Sequence, residues 1–302
     1  YRSWEGERMK LEREREVNYK VSILKDYAEM QLLSIEFDAI DNSKIYAELV
    51  VKKDNNKGLI LEIPDYEEVP SSEVSLMRYG VLGYSCGSLH VRGDRGRSEN
   101  KQPASIYFPF LNNNSEDDLY YNFAYQDGID LVNILKREFL DLQVTIVAKG
   151  QGAAIGIVTA AVGKKVQNLF ISNVQNADFK FIFDNNLDVG VYDGIREYNR
   201  NYHEKEEYLL EKLGKIDVLN YAEDVRVDGN ADPIAKMDIN EENSQAIQNV
   251  RRYERIDIII VYVGVQGYAA GTMNITETIY YVWDNKTGKF IAKLRNVENK
   301  EL

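Results

Sequence analysis

The sequence predicts an α/β fold, a mainly parallel sheet flanked by helices, on three observations. Short β-branched runs alternate with helical stretches along most of the chain. Over Val144 to Val162 a strand, a glycine turn and a small-residue helix follow one another without a spacer. The 302 residues, 44% hydrophobic and 28% charged, suffice for one large core or two modest ones.

Residues 1–16 mix Arg, Lys and Glu, with Trp4, Met9 and Leu11 as the few apolar points; they predict a charged helical arm ahead of one domain over residues 17–302. Leu33 to Phe37 and Ile45 to Val51 alternate about the turn Asp41-Asn42-Ser43 and predict a hairpin. Gly58 to Ile63, closed by Pro64, reads as a short buried strand, and a further strand lies between Tyr79 and Val91 before the glycine-rich turn Arg92 to Ser98. Asn112 to Asp118 is a polar surface loop, and apolar residues three and four apart predict a helix over Tyr121 to Phe139. Val144 to Ala148 is a strand, Lys149-Gly150-Gln151-Gly152 a sharp turn, and Ala153 to Val162 a helix, the shape of a nucleophile elbow. Val166 to Ser172 gives the next strand, Asn201 to Leu213 a charged helix, and Asp257 to Gly264 a buried strand. Residues 226–254 are polar enough for an insertion.

Charge excludes some functions. With 37 basic and 49 acidic residues the net charge is -12, so the chain presents no footprint for a nucleic-acid backbone or an anionic membrane. No apolar run approaches the roughly 18 residues of a membrane span. The single Cys86 can form neither an internal disulfide nor a thiolate metal site, and no metal or cofactor is implied. A start at Tyr1 rather than Met fits a fragment or processed form, and leaves the compartment open between the cytoplasm and a processed or secreted form.

Four segments together resemble the acetyl xylan esterase and cephalosporin-C deacetylase family of α/β-hydrolases. His90 to Ser98 resembles the family's Arg-Gly-Gln strand and turn, with Asp94 in place of Gln. Tyr120 to Leu140 resembles the helix before the elbow, Val144 to Ala154 the elbow itself, and Ile216 to Ala222 the stretch Phe-Asp-x-x-Asn-Phe-Ala. The resemblance implies an α/β-hydrolase-like sheet over roughly residues 17–225, and more loosely over Asp257 to Asn299.

It also implies three vacant triad positions. The nucleophile falls at Gly150, which has no side chain to attack a carbonyl. The acid falls near Gly267 and the histidine near Asn299. Histidine order agrees without alignment: of His90 and His203 only His203 follows the elbow, on what reads as a solvated helix face. The tyrosine the family places beside its oxyanion hole is kept as Tyr66, but within Asp65-Tyr66-Glu67-Glu68, where carboxylates would oppose a developing oxyanion.

Ser85, Cys86 and Ser88 read better as strand packing than as substitute nucleophiles, and Arg92-Gly93-Asp94 as a structural turn rather than an adhesion motif. The 21 tyrosines, clustered at Tyr120, Tyr121 and Tyr125 and at Tyr280 and Tyr281, suit core-edge packing better than sugar stacking. The reading is a catalytically degenerate esterase-like domain that binds or scaffolds. Its ligand pocket would be made by Tyr66, Arg92, Lys149 and Gln151, at the carboxyl ends of the strands. A carbohydrate or other small ligand, a protein partner or a homo-oligomer are the partners this leaves. An active carbohydrate or small-ester deacetylase using other residues is the alternative, and a regulatory domain cut from a longer chain a third.

Overall fold

The computed structural model describes residues 8–102, 119–184, 192–222 and 224–225, and the strands over 258–269, 272–284 and 290–296. Its main sheet has seven strands: β1 (Tyr19–Asp26), β2 (Met30–Asp38), β3 (Lys44–Lys52), β4 (Leu59–Ile63), β5 (Ser85–His90), β6 (Val144–Lys149) and β7 (Asn168–Ser172). Their order across the sheet is β1-β2-β3-β5-β4-β6-β7. Strands β5, β4, β6 and β7 pair in parallel, while β1, β2 and β3 continue the sheet antiparallel. The expected hairpin is β2–β3, in unbroken register from Met30↔Lys52 to Asp38↔Lys44.

Strand β1 is not legible as alternation, because a bulge slips its register between Ile23 and Lys25 and leaves Ile23 and Leu24 both exposed. The strand expected between Tyr79 and Val91 begins only at Ser85. Tyr79 still belongs to helix α1 (Glu73–Val81), capped by Ser72 and buried through Leu76 and Gly80.

Helix α2 (Tyr120–Glu138) and helix α3 (Gln151–Gly163) pack together on one face of the sheet. Every residue of α3 except Val162 is buried, so it is apolar all round instead of amphipathic. Short helices α4 (Phe179–Asp184) and α5 (Asp193–Asn201) follow, then a 3-10 turn at His203–Lys205, α6 (Glu206–Ile216) and α7 (Leu219–Ala222). The charged helix expected from Asn201 thus starts later, because its buried face begins only at Leu209 and continues through Leu213 and Ile216. No helix among the described residues is long and apolar enough to cross a membrane.

Two expectations need correction. In the described part of the arm, residues 8–16, no helix forms. A polar stripe on α2, Gln126, Asp130 and Asn133, takes up the arm's hydrogen bonds instead. Glu12 N–H donates to Gln126 Oε1 at 2.8 Å, Gln126 Nε2 returns a bond to the Glu12 carbonyl at 2.9 Å, and Asn133 Nδ2 donates to the Arg13 carbonyl at 2.9 Å. Arg15 binds Asp130 at 2.6 Å, where the carboxylate is fully buried. A backbone that satisfies its groups on a neighbouring helix has no need to coil on itself. Residues 8–16 therefore form a strap laid along α2.

The second correction concerns the C-terminal strands. The expected strand from Asp257 is β8 (Ile258–Ala269), but it belongs to a separate antiparallel sheet with β9 (Thr272–Asp284) and β10 (Phe290–Asn296), in the order β10-β9-β8. The expected insertion at 226–254 and the loop at Asn112 to Asp118 lie outside the described residues.

One buried ion cluster joins the hairpin turn to α2. Arg92, with a fully buried side chain, donates to Asp127 at 2.6 and 2.9 Å and to Asp41 at 2.8 and 3.4 Å. Burial pushes the Asp41 carboxyl up, but the hydrogen bonds and charge of Arg92 outweigh it and hold it down at about 2. Because the folded value lies below the unfolded one, this stability is present above the ordinary carboxylate range and is lost as pH falls through the folded value. Asp41→Asn is expected to cost about 2 kcal/mol at neutral pH and to flatten the acid limb of the stability curve below about pH 4. Urea melts across that range check it; an acid limb as steep as the parent's would refute the assignment.

Candidate functional site

The site grows from the junction of β6 and α3. Val144, Ile146 and Ala148 bury one face of β6 in the core, and the strand ends at the exposed Lys149. Gly150 then turns the chain with φ +56° and ψ −120°, a backbone state that non-glycine residues hold only under strain. Its N–H donates to the Ser172 carbonyl at 3.0 Å, and its own carbonyl accepts from Gln175 N–H at 3.1 Å, so the turn is bonded to the end of β7 and the loop after it. Two residues on, a Cβ at Gly152 would lie 2.1 Å from the Ile63 carbonyl oxygen. Glycine there lets the first turn of α3 rest on the end of β4.

What stands over Gly150 is the side chain of Asp65, from the loop after β4. A Cβ at Gly150 would lie 1.7 Å from Asp65 Oδ1 and 2.3 Å from Oδ2. Oδ1 accepts from Tyr66 N–H at 2.7 Å, from Gln151 N–H at 2.9 Å and from Gln175 Nε2 at 3.0 Å. One N–H from the start of α3, that of Gln151, and one from the loop after β4, that of Tyr66, thus meet on a single oxygen. The carboxylate also lies at the N-terminus of a 13-residue helix, where free N–H groups and the macrodipole favour negative charge.

Beside it lies a cavity of about 220 Å³ lined by Tyr66, Glu67, Gly93, Asp94, Arg95 and Tyr120. Asp94 accepts from Glu67 N–H at 3.1 Å, from Arg95 N–H at 2.9 Å and from Gln151 Nε2 at 3.3 Å. Burial holds the Asp94 carboxyl above the usual carboxylate range. Burial likewise raises the Tyr66 hydroxyl, with Glu67 and Asp94 adding to the shift.

The four residues expected to form one pocket separate. Tyr66 lines the cavity, and Gln151 reaches it through Asp94 while its Oε1 accepts from Tyr121 at 3.1 Å. Arg92 does not contribute its charge: its guanidinium is spent on Asp41 and Asp127, and only its carbonyl approaches the cavity, accepting from Tyr120 at 2.8 Å. That burial equally keeps Arg92-Gly93-Asp94 from presenting an adhesion motif. Lys149 is exposed at the end of β6 and does not line the cavity. The residue that sequence reasoning passed over is Asp65, noticed only as one carboxylate of a run.

The remaining candidates fall as follows. Gly267 lies inside β8, opposite Asn274 in the antiparallel sheet, not at the carboxyl end of a main-sheet strand. Asn299 lies outside the described residues. His203 is exposed in its 3-10 turn. His90 is buried on β5, two strands from β6; its Nδ1 accepts from Arg97 N–H at 3.1 Å, and burial lowers it to about 4. Ser85 and Ser88 are buried and accept backbone N–H groups from Lys52 and Ser71, and burial pushes the Cys86 thiol up. Tyr120, Tyr121 and Tyr125 are buried, as packing requires.

Residues 4–238 match the family model for acetyl xylan esterase. No curated protein sequence matches the chain. Among solved structures, acetyl xylan esterase 1 from Thermoanaerobacterium sp. is similar at a TM-score of 0.62 and 20% identity, over 71% of this chain and 71% of that one. An acetyl xylan esterase from Paenibacillus sp. is similar at a TM-score of 0.61 and 16% identity, over 70% of this chain and 72% of that one. At such identities the likeness is one of fold.

Proposed function

The chain belongs to the acetyl xylan esterase family, and from that premise we propose that this member does not turn over esters and serves instead as a binding or structural domain. One observation carries the reading: at the elbow a glycine stands where a nucleophile is needed, with the Asp65 carboxylate across both that position and the two N–H groups of the oxyanion hole. The two N–H groups that would meet a carbonyl oxygen gathering negative charge already bind Asp65, whose carboxylate stands in that oxygen's place. The cavity beside the elbow, with the rings of Tyr66 and Tyr120 and the carboxylates of Glu67 and Asp94, is the place for a small polar ligand.

The expected result is hydrolysis of p-nitrophenyl acetate no faster than in a matched control, with Gly150→Ser restoring nothing. A serine there would strike Asp65 and would still lack a base. Turnover that survives repurification and is abolished by one point substitution would overturn the reading. For binding, calorimetry with acetylated and acidic oligosaccharides is expected to respond to Tyr66→Ala and to ignore Lys149→Ala.

A further inference from the structure

We propose that Asp65 is an internal ligand of the elbow: the N–H groups of Tyr66 and Gln151 and the side-chain amide of Gln175 form a carboxylate-binding site, which this protein keeps closed with its own side chain. The proposal rests on reading the Gly150 turn as an elbow, but not on whether esters are hydrolysed. Three donors from three separate segments, the loop after β4, the start of α3 and the loop after β7, converge on one oxygen, Asp65 Oδ1, at 2.7 to 3.0 Å. Oδ2 lies over Gly150, in space that any side chain at that residue would take. Donors to one oxygen and open room for the second describe the shape of a carboxylate group. The Gln151 N–H also belongs to the first turn of a buried helix, so leaving it unpaired would be costly.

Tethering explains why a side chain holds the site. Glu67, Glu68 and Asp94 surround it, Glu68 accepting the Asp65 N–H at 3.0 Å, so a free anion meets repulsion on approach. A carboxylate on a neighbouring loop has a high effective concentration and avoids that barrier. Remove it, and the donors are freed next to the 220 Å³ cavity, which shares Tyr66 with the site. The ligand class is then a small monocarboxylate of the size of acetate.

The experiment compares the full chain with Asp65→Ala and Asp65→Asn, titrated with sodium acetate against sodium chloride at equal ionic strength. Thermal midpoints and the Tyr66 and Gln151 amide resonances are followed. Asp65→Ala is expected to show saturable stabilisation, about 2–4 °C at a tenfold excess over Kd, with both amides shifting together. The parent and Asp65→Asn, whose sites stay filled, should respond to acetate no more than to chloride. An Ala variant indifferent to acetate, or a parent that responds equally, overturns the proposal. Should Asp65→Ala not fold, Asp65→Ser, whose shorter side chain also vacates the place of the carboxylate, takes its part in the same titration, and indifference to acetate there overturns the proposal. Ester turnover by the parent would sink the silent-esterase reading alone; a failed acetate response sinks this one alone.

Discussion

Gly150→Ala is expected to destabilise the fold by about 2–4 kcal/mol, far more than one methyl group on a turn ordinarily does. Two costs add. The backbone at φ +56° and ψ −120° is strained for any residue with a Cβ, at about 1–3 kcal/mol. The new methyl would also stand 1.7 Å from Asp65 Oδ1, so the carboxylate must leave and its three bonds with it. The second cost is already incurred in Asp65→Ala. A double-mutant cycle by urea denaturation should therefore return a coupling of about 1–2 kcal/mol, the alanine at residue 150 being milder in the Asp65→Ala background. Additivity within about 0.5 kcal/mol would mean that the carboxylate does not sit over the glycine.

Arg92→Met is expected to cost about 3–5 kcal/mol at neutral pH, because it strands two buried carboxylates. The side chains of Asp41 and Asp127 are 7% and 3% exposed, and Arg92 supplies four of the hydrogen bonds that hold them. Arg92→Lys should recover little, since an ammonium cannot reproduce a planar fork shared between two carboxylates. Adding Asp127→Asn to Arg92→Met should recover part of the loss by removing one unpaired charge. A denaturant midpoint for Arg92→Met equal to the parent's would refute the cluster as a source of stability.

What could be read from the chain depended on whether a signal was local. The β2–β3 hairpin, β4, α2, β6, α3 and β7 are marked by local periodicity, by a short apolar run or by flanking turn residues, and each appears close to where that signal puts it. The Gly150 turn was legible too, as strand, glycine and helix in sequence order. Signals that depend on a distant partner were not. Nothing near Gln126, Asp130 and Asn133 in the sequence marks them as partners of residues 12–15, which lie more than 100 residues earlier. Arg92 reads as a pocket cation until Asp41 and Asp127 arrive from segments 51 and 35 residues away. Asp65 was hardest, since nothing in Asp65-Tyr66-Glu67-Glu68 says which carboxylate turns inward; its acceptor role depends on donors 86 and 110 residues further along.

The strap has a consequence for the order of folding. Its bonds close very long loops: Glu12 to Gln126 spans 114 residues, Asn133 to Arg13 spans 120, and Arg8 reaches Asp224 across 216. Contacts so distant in sequence are slow to form, and those of Glu12 and Arg13 need α2 to exist before they have anything to bind. During synthesis the strap emerges ahead of α2, and it must wait until the chain has grown past that helix, and for Arg8 as far as Asp224, to find its partners. Interactions made after the rate-limiting step act on unfolding and hardly on folding, so the strap is expected to serve as a latch, setting how long the native state lasts once reached more than how quickly it is reached.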